Sequence, residues 1–252
     1  MSSFIIRKII RKKADISEET KDYIAVEKKL RISCNGKDVI SLYCTPALIK
    51  ELVAGFISTE ELIDGKFCAD SLVITYGDEI EADITSEVPV EQRNFIKTSG
   101  CTGGMTTARE KAFTKITDDL QIHGEDIRTL FTVFNGKSEL FRLTGCVHSA
   151  ALCEGNTIVA FAEDIGRHNA VDKVLGSCIL KNIPFSKKIL LVSGRISSEI
   201  VLKCMKWGIP VVASRTSATS LALELAEDGG VTLVGFVRAN RMNIYTNGQR
   251  IT

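Results

Sequence analysis

The sequence predicts an α/β protein: a mixed, largely parallel sheet in the second half, preceded by a smaller strand-rich α+β segment. Three observations lead there. From residue 157 onward, short apolar runs of strand length alternate with helical stretches, the pattern of parallel strands covered on both faces. Residues 1–118 instead carry strand pairs around tight-turn signals, one helix and a Gly-rich stretch near their end, which sets them apart from an α/β unit at 119–252. With 252 residues, 44% of them hydrophobic, the chain is long enough for one large core or two modest ones.

In chain order, the basic stretch Arg7, Lys8, Arg11, Lys12 and Lys13 reads as a solvated strand end. The net charge of +1 gives no field to draw in nucleic acid or a membrane. Residues 23–34 and 38–44 are rich in strand formers and flank Asn35-Gly36, a dipeptide that tolerates the positive φ angles of a tight hairpin turn. Thr45-Pro46 is placed to open a helix, with Thr as N-cap and Pro in the first turn. Leu48, Leu52, Phe56, Leu62 and Ile63 give that helix its apolar face, and Asp64-Gly65 its end. A second strand pair, 71–76 and 80–84, surrounds Gly77-Asp78. Residues 94–107 are rich in Gly, Ser and Thr without period and predict a flexible loop. A weakly signalled helix follows from Ala108 to about Gln121, then a better one from Glu125 to Phe134 with Ile127, Leu130, Phe131 and Phe134 on one face.

The second half then alternates. Strands are expected at 157–162, 188–193, 210–214, 231–236 and 242–245, with helices at 169–181, 197–207 and 217–227 between them. Gly208 suits the left-handed residue that ends a helix, with Pro210 just beyond. No apolar run approaches the roughly 20 residues of a membrane span, and the first residues lack the apolar core and cleavage site of a signal peptide, so a cytoplasmic protein is expected.

In open α/β sheets ligands bind beyond the carboxyl ends of the strands. Those ends carry Arg167 and His168, Arg195, Arg215, and Arg238 with Arg241, a concentration of cations in a nearly neutral chain. Ser and Gly just before helices add backbone N–H groups that favour anions. Together they predict an anionic, phosphate-bearing ligand. No Gly-x-Gly-x-x-Gly or P-loop pattern is present, so the ligand is not an ordinary dinucleotide or nucleoside triphosphate. Of the histidines, His168 beside Arg167 has the better claim to a ligand; His148 reads as structural or solvent-facing.

Eight cysteines occur without a Cys-x-x-Cys pair or a zinc-ligand spacing, so most read as reduced, buried thiols. Cys101 alone lies in a Gly-flanked stretch, Ser99-Gly-Cys-Thr-Gly-Gly104, with Lys97 near enough in sequence to favour a thiolate. Local composition leaves two readings of Cys101 open, a reactive sulfur or a casual loop cysteine. Cys146, between Gly145 and Val147, reads as buried.

Six segments together resemble the FdhD/NarQ family: Thr98-Ser-Gly-Cys101, Thr144-Gly-Cys-Val-His148, the long block Glu163-Asp-Ile-Gly-Arg-His-Asn-Ala-Val-Asp-Lys173, Ser193-Gly-Arg195, Gly208-Ile-Pro210, and Gly235-Phe-Val-Arg238 with Asn243-Ile-Tyr-Thr246. The resemblance implies a homodimer with a cytidine-deaminase-like core and a smaller N-terminal domain. It implies a sulfurtransferase that takes persulfide sulfur from a cysteine desulfurase. The sulfur then passes to the bis-molybdopterin guanine dinucleotide molybdenum cofactor required by formate dehydrogenase. By position, Cys101 becomes the persulfide carrier. Phe236, Val237, Arg238, Ala239, Asn240 and Arg241 become part of the cofactor-binding segment, and guanine nucleotide ends supply phosphates for Arg167, His168 and Arg195.

Two departures qualify this. Many members carry a second cysteine three residues after the first, where this chain has Gly104, so no disulfide can form within that stretch. The His-x-Glu and Pro-Cys-x-x-Cys signature of zinc deaminases is also absent, so neither zinc nor deaminase chemistry is expected. The alternative function is a chaperone that holds the cofactor without transferring sulfur. A nucleotide hydrolase is a weaker third reading, lacking a recognisable metal site or nucleophile–base pair.

Overall fold

In a computed structural model the structure describes residues 1–62, 68–86 and 114–252, together with the backbone of two short strands at 95–97 and 105–107. The chain opens with a long two-stranded ribbon, β1 (Phe4–Lys13) against β2 (Ile16–Ala25), almost wholly solvent-exposed, the basic residues of β1 among them. A four-stranded sheet follows. β3 (Lys28–Cys34) and β4 (Lys37–Cys44) form the expected hairpin, and Asn35 and Gly36 both take positive φ, 50° and 73°. β5 (Leu72–Tyr76) and β6 (Ile80–Ile84) form the second expected pair, and β6 lies parallel to β3.

Helix α1 (Ile49–Glu60) starts later and stops earlier than Thr45-Pro46 and Asp64-Gly65 suggest. Thr45 cannot cap it, because its N–H and hydroxyl are bound to the buried carboxylate of Asp164. Leu48 enters the helix in the left-handed conformation and Glu61 leaves it the same way, donating its N–H to the Ile57 carbonyl. Leu52, Val53, Phe56 and Ile57 of α1 pack on Leu30, Ile32, Ile80 and Ala82 of the four-stranded sheet. Ile63 and Asp64-Gly65 lie outside the described residues.

Within 94–107 the expected loop contains two strands, β7 (Phe95–Lys97) and β8 (Met105–Thr107), paired antiparallel. Three-residue strands are too short to show an alternation in sequence. The helix expected to follow is absent from 114–121, which is irregular; 108–113 lie outside the described residues.

The second-half sheet has six strands in the order β10-β9-β11-β12-β13-β14. Only β11 (Ile189–Val192), β12 (Val211–Ser214) and β13 (Thr232–Gly235) are mutually parallel. β9 (His148–Glu154) runs antiparallel to both β10 (Thr157–Asp164) and β11, and β14 (Asn243–Ile244) antiparallel to β13. The sheet is therefore mixed rather than largely parallel. The difference comes from β9, a strand the sequence reading lacks, joined to β10 by a tight turn at Gly155.

Its central strands are apolar at consecutive positions because both faces are covered. Leu190, Val192, Val212 and Leu233 face α4 (Arg167–Leu180), α5 (Ser198–Trp207) and α6 (Ser220–Gly229). Ile189, Leu191, Val211 and Val234 face α2 (Gly124–Lys137) through Ile127, Leu130, Phe131 and Phe134. Gly208 closes α5 at φ 67°, its N–H donating to the carbonyls of Cys204 and Met205.

The two sheets are joined where α1 crosses α4 at backbone contact. A Cβ on Gly55 would stand 1.9 Å from the Asp172 carbonyl oxygen, and one on Gly176 would stand 1.8 Å from that of Glu51. Ala is the better helix former by about 1 kcal/mol, yet no alanine fits here. Gly176→Ala is therefore expected to destabilise the protein by about 1–3 kcal/mol net, through forced separation of the helices. Gly136→Ala in α2, where a Cβ meets nothing within 4 Å, should instead stabilise by about 0.4–1 kcal/mol. Urea midpoints of the two variants check both signs.

Candidate functional site

Because β9 is antiparallel to β11, its first residue lies at the same end of the sheet as the last residues of β11, β12 and β13. An open cleft of about 910 Å³ forms there. Its floor is His148 and Ser149 at the start of β9, Ser193 after β11, and Arg215 and Thr216 after β12. Arg238 after β13 adds a further wall. The other side comes from Asn135 and Ser138 at the end of α2, and from Phe141 and Arg142 of α3 (Glu139–Thr144). Cys146 lies on the rim. Among the described lining residues the permanent charges are Arg142, Arg215 and Arg238 against Glu27.

The backbone stitches these ends together. Phe236 N–H donates to the Thr216 carbonyl at 3.0 Å and Val237 N–H to the Ser214 carbonyl at 3.0 Å, tying the exit of β13 to the exit of β12. Phe236 sustains this at a positive φ of 51°. Arg238 Nη1 donates to the carbonyls of Arg215 at 2.7 Å and Val237 at 2.9 Å, which fixes the guanidinium beside the cleft. Ser214 Oγ reaches the Gly194 carbonyl at 2.6 Å, tying β12 to the turn after β11.

Of the strand-end arginines the sequence singles out, Arg215 and Arg238 line the cleft directly. Arg167, His168 and Arg195 stand near His148: burial first, then these neighbours, hold its imidazole below the ordinary histidine value, and Asp164 opposes them. His168 is engaged by the start of α5, its Nε2 3.3 Å from Ser197 Oγ and 3.6 Å from Glu199 Oε2. The His168 ring beside it, with Ser197 and its own backbone N–H, holds the Glu199 carboxyl well below the usual carboxylate range. Val237 is turned into the core, so its part is played by its backbone. Ala239, Asn240 and Arg241 are exposed in a turn closed by Arg238 N–H to the Arg241 carbonyl at 2.8 Å. Cys101 lies outside the described residues.

The cleft also contains what the sequence reading passes over. Cys146 is exposed on the rim rather than buried, because Gly145, at φ 64°, ends α3 and turns the chain outward before β9 begins. His148 belongs to the cleft only because β9 exists. Arg142 sits on α3, whose six residues are too few to show a helical period.

The other thiols separate clearly. Cys44, Cys153 and Cys204 are pushed up to about 12 by burial, and Cys178 to about 11. They pack in the cores as small hydrophobes and are not nucleophiles.

The strand ends of this mixed α/β sheet thus bring Arg215 and Arg238, with Arg142 of α3, to one open cleft. The chain belongs to the FdhD/NarQ family, whose model matches residues 25–252. A sulfur carrier protein FdhD from Sulfolobus acidocaldarius is 38% identical over 246 residues, 97% of each chain. One from Bacillus pumilus is 38% identical over 244 residues, 92% of this chain and 91% of its own. A crystal structure from Desulfotalea psychrophila, assigned as a formate dehydrogenase accessory protein, superposes with a TM-score of 0.79 over the whole of both chains at 28% identity.

Proposed function

We propose that the chain is a sulfur carrier that binds the bis-molybdopterin guanine dinucleotide molybdenum cofactor as its substrate and delivers sulfur to it from Cys101, for the use of formate dehydrogenase. The carrying observation is the cleft itself, where guanidinium groups from two strand ends and one helix face a volume of about 910 Å³. A ligand with phosphates and a guanine end suits that charge and size, and arginine suits phosphate because its planar fork can donate two bonds at once. The names of the relatives support the sulfur chemistry.

In this reading the Cys101 thiolate attacks the outer sulfur of a persulfide on a cysteine desulfurase. A new S–S bond forms, the old one breaks, and the desulfurase thiolate leaves with the bonding pair. At the acceptor the outer sulfur becomes a sulfide as the acceptor gives up two electrons, and Cys101 returns to thiolate. One cysteine suffices for this cycle, so Gly104 in place of a second one is no obstacle. The reading extends to a cytoplasmic homodimer with a cytidine-deaminase-like core at 119–252 behind an N-terminal domain at 1–118.

Arg238→Ala should weaken GDP binding, measured by calorimetry, by about tenfold to a hundredfold, since charge-assisted bonds to phosphate contribute about 1.5–3 kcal/mol each. Equal affinity in both proteins removes Arg238 from the site. No GDP binding by the unaltered protein removes the cofactor assignment.

A further inference from the structure

His148 is built into the cleft wall in a particular way. Ser193 Oγ accepts the Ser149 N–H at 2.9 Å, and its hydroxyl lies 3.3 Å from His148 Nδ1. Ser193 Oγ can donate to Nδ1 of the neutral ring and accept from it in the imidazolium, so it serves both protonation states. Gly194 completes the seat: a Cβ there would stand 3.2 Å from Nδ1 and 3.3 Å from Cε1, so the imidazole lies flat against a backbone that carries no side chain.

The charges facing the ring come from every neighbouring element. Arg167 and His168 from α4 and Arg195 from the turn after β11 disfavour the imidazolium; Asp164 at the end of β10 favours it, and burial, the largest effect, disfavours it. The cleft itself adds Arg142, Arg215, Arg238 and Glu27. In the free protein these groups leave a ring that is poor at holding a proton, set in a wall that attracts anions.

We infer that His148 is a proton-linked ligand-binding residue: the ring takes up a proton when a polyanion binds in the cleft. The physics is linkage. Phosphate charge placed beside the ring offsets the repulsion of the surrounding cations and favours the imidazolium, so the ring's proton affinity is higher in the complex than in the free protein. Between those two values, binding and protonation proceed together, and affinity falls as pH rises. This rests on the polyanion-binding reading of the cleft, but it fails separately from it.

Calorimetry of GDP binding near pH 6.5, repeated in buffers of different ionisation enthalpy, gives the protons taken up per complex. GDP has a titrating phosphate of its own, so the informative quantity is wild type minus His148→Gln, in which the nucleotide's contribution cancels. The expected result is an excess uptake in wild type that approaches one proton and vanishes as pH rises. In parallel, wild-type affinity should strengthen on acidification by up to about tenfold per pH unit more than the variant's. His148→Asn provides a second variant, and melting curves show whether each is folded. Binding with equal proton uptake in wild type and folded variants overturns the inference and leaves the cleft's function standing. Absence of GDP binding to wild type overturns both.

Discussion

Cys101→Ala is expected to abolish the activation of formate dehydrogenase and to remove the persulfide adduct, about 32 Da, seen by mass spectrometry after incubation with a cysteine desulfurase and cysteine. The loss should be complete rather than graded, because most of the other described thiols are buried and poorly nucleophilic. Cys44, Cys153, Cys178 and Cys204 are buried with thiols pushed up to about 11–12, which leaves a negligible thiolate fraction at neutral pH. Cys34 is also buried and its thiol is raised by burial and by Asp83. Cys68 and Cys146 are exposed, and Cys146 stands on the cleft rim, so Cys146→Ala is the matched control. Retention of the adduct in Cys101→Ala and its loss in Cys146→Ala would move the carrier to Cys146. Normal activation by Cys101→Ala would favour instead a chaperone that holds the cofactor without passing sulfur.

How much of this was legible in the sequence depends on length and on locality. The strands β11, β12 and β13 and the helices α5 and α6 announce themselves, because buried strands are continuous apolar runs and α5 and α6 end in glycine at Gly208 and Gly230. The Asn35-Gly36 hairpin is readable from two residues, since that dipeptide meets a local backbone demand. What was not legible is non-local or short. Thr45-Pro46 carries every local mark of a helix start, yet Thr45 is taken by Asp164, distant in sequence. β9 reads as ordinary polar-to-apolar sequence, and without it His148, Cys146 and the antiparallel half of the sheet have no place. Position at the strand ends alone reaches Arg215, Arg238 and the Arg167–Arg195 group but cannot tell that Val237 turns inward.

That same Asp164 carries the largest stability effect expected of a single change. Its Oδ2 accepts from Lys173 Nζ at 2.6 Å, Thr45 N–H at 3.0 Å and Thr45 Oγ1 at 3.1 Å. Its Oδ1 accepts from Gly166 N–H at 2.8 Å and Asn169 Nδ2 at 2.9 Å. Asp164, Lys173 and Thr45 have no solvent exposure at all, so nothing but this network compensates the two charges. It binds the end of β4 to the turn from which α4 rises, the turn that carries Arg167 and His168, and it lies along the same α1–α4 seam as the Gly55–Gly176 contact. Lys173→Met keeps the volume and removes the ammonium, leaving a carboxylate buried among neutral donors. The expected cost is about 3–5 kcal/mol, the usual consequence of breaking a buried pair from one side. Asp164→Asn combined with Lys173→Met should recover part of that loss, since the charge is gone while the one remaining carbonyl still accepts from either the Gly166 or the Thr45 backbone N–H. The coupling of Thr45, Gly166 and Asn169 to one carboxylate also means that GDP affinity should weaken in Lys173→Met and return in the double variant. Denaturant midpoints of the two single variants and the double variant form the test. A Lys173→Met protein within about 1 kcal/mol of wild type, or a double variant no better than the single one, would show that the seam is held by packing and that its charges are incidental.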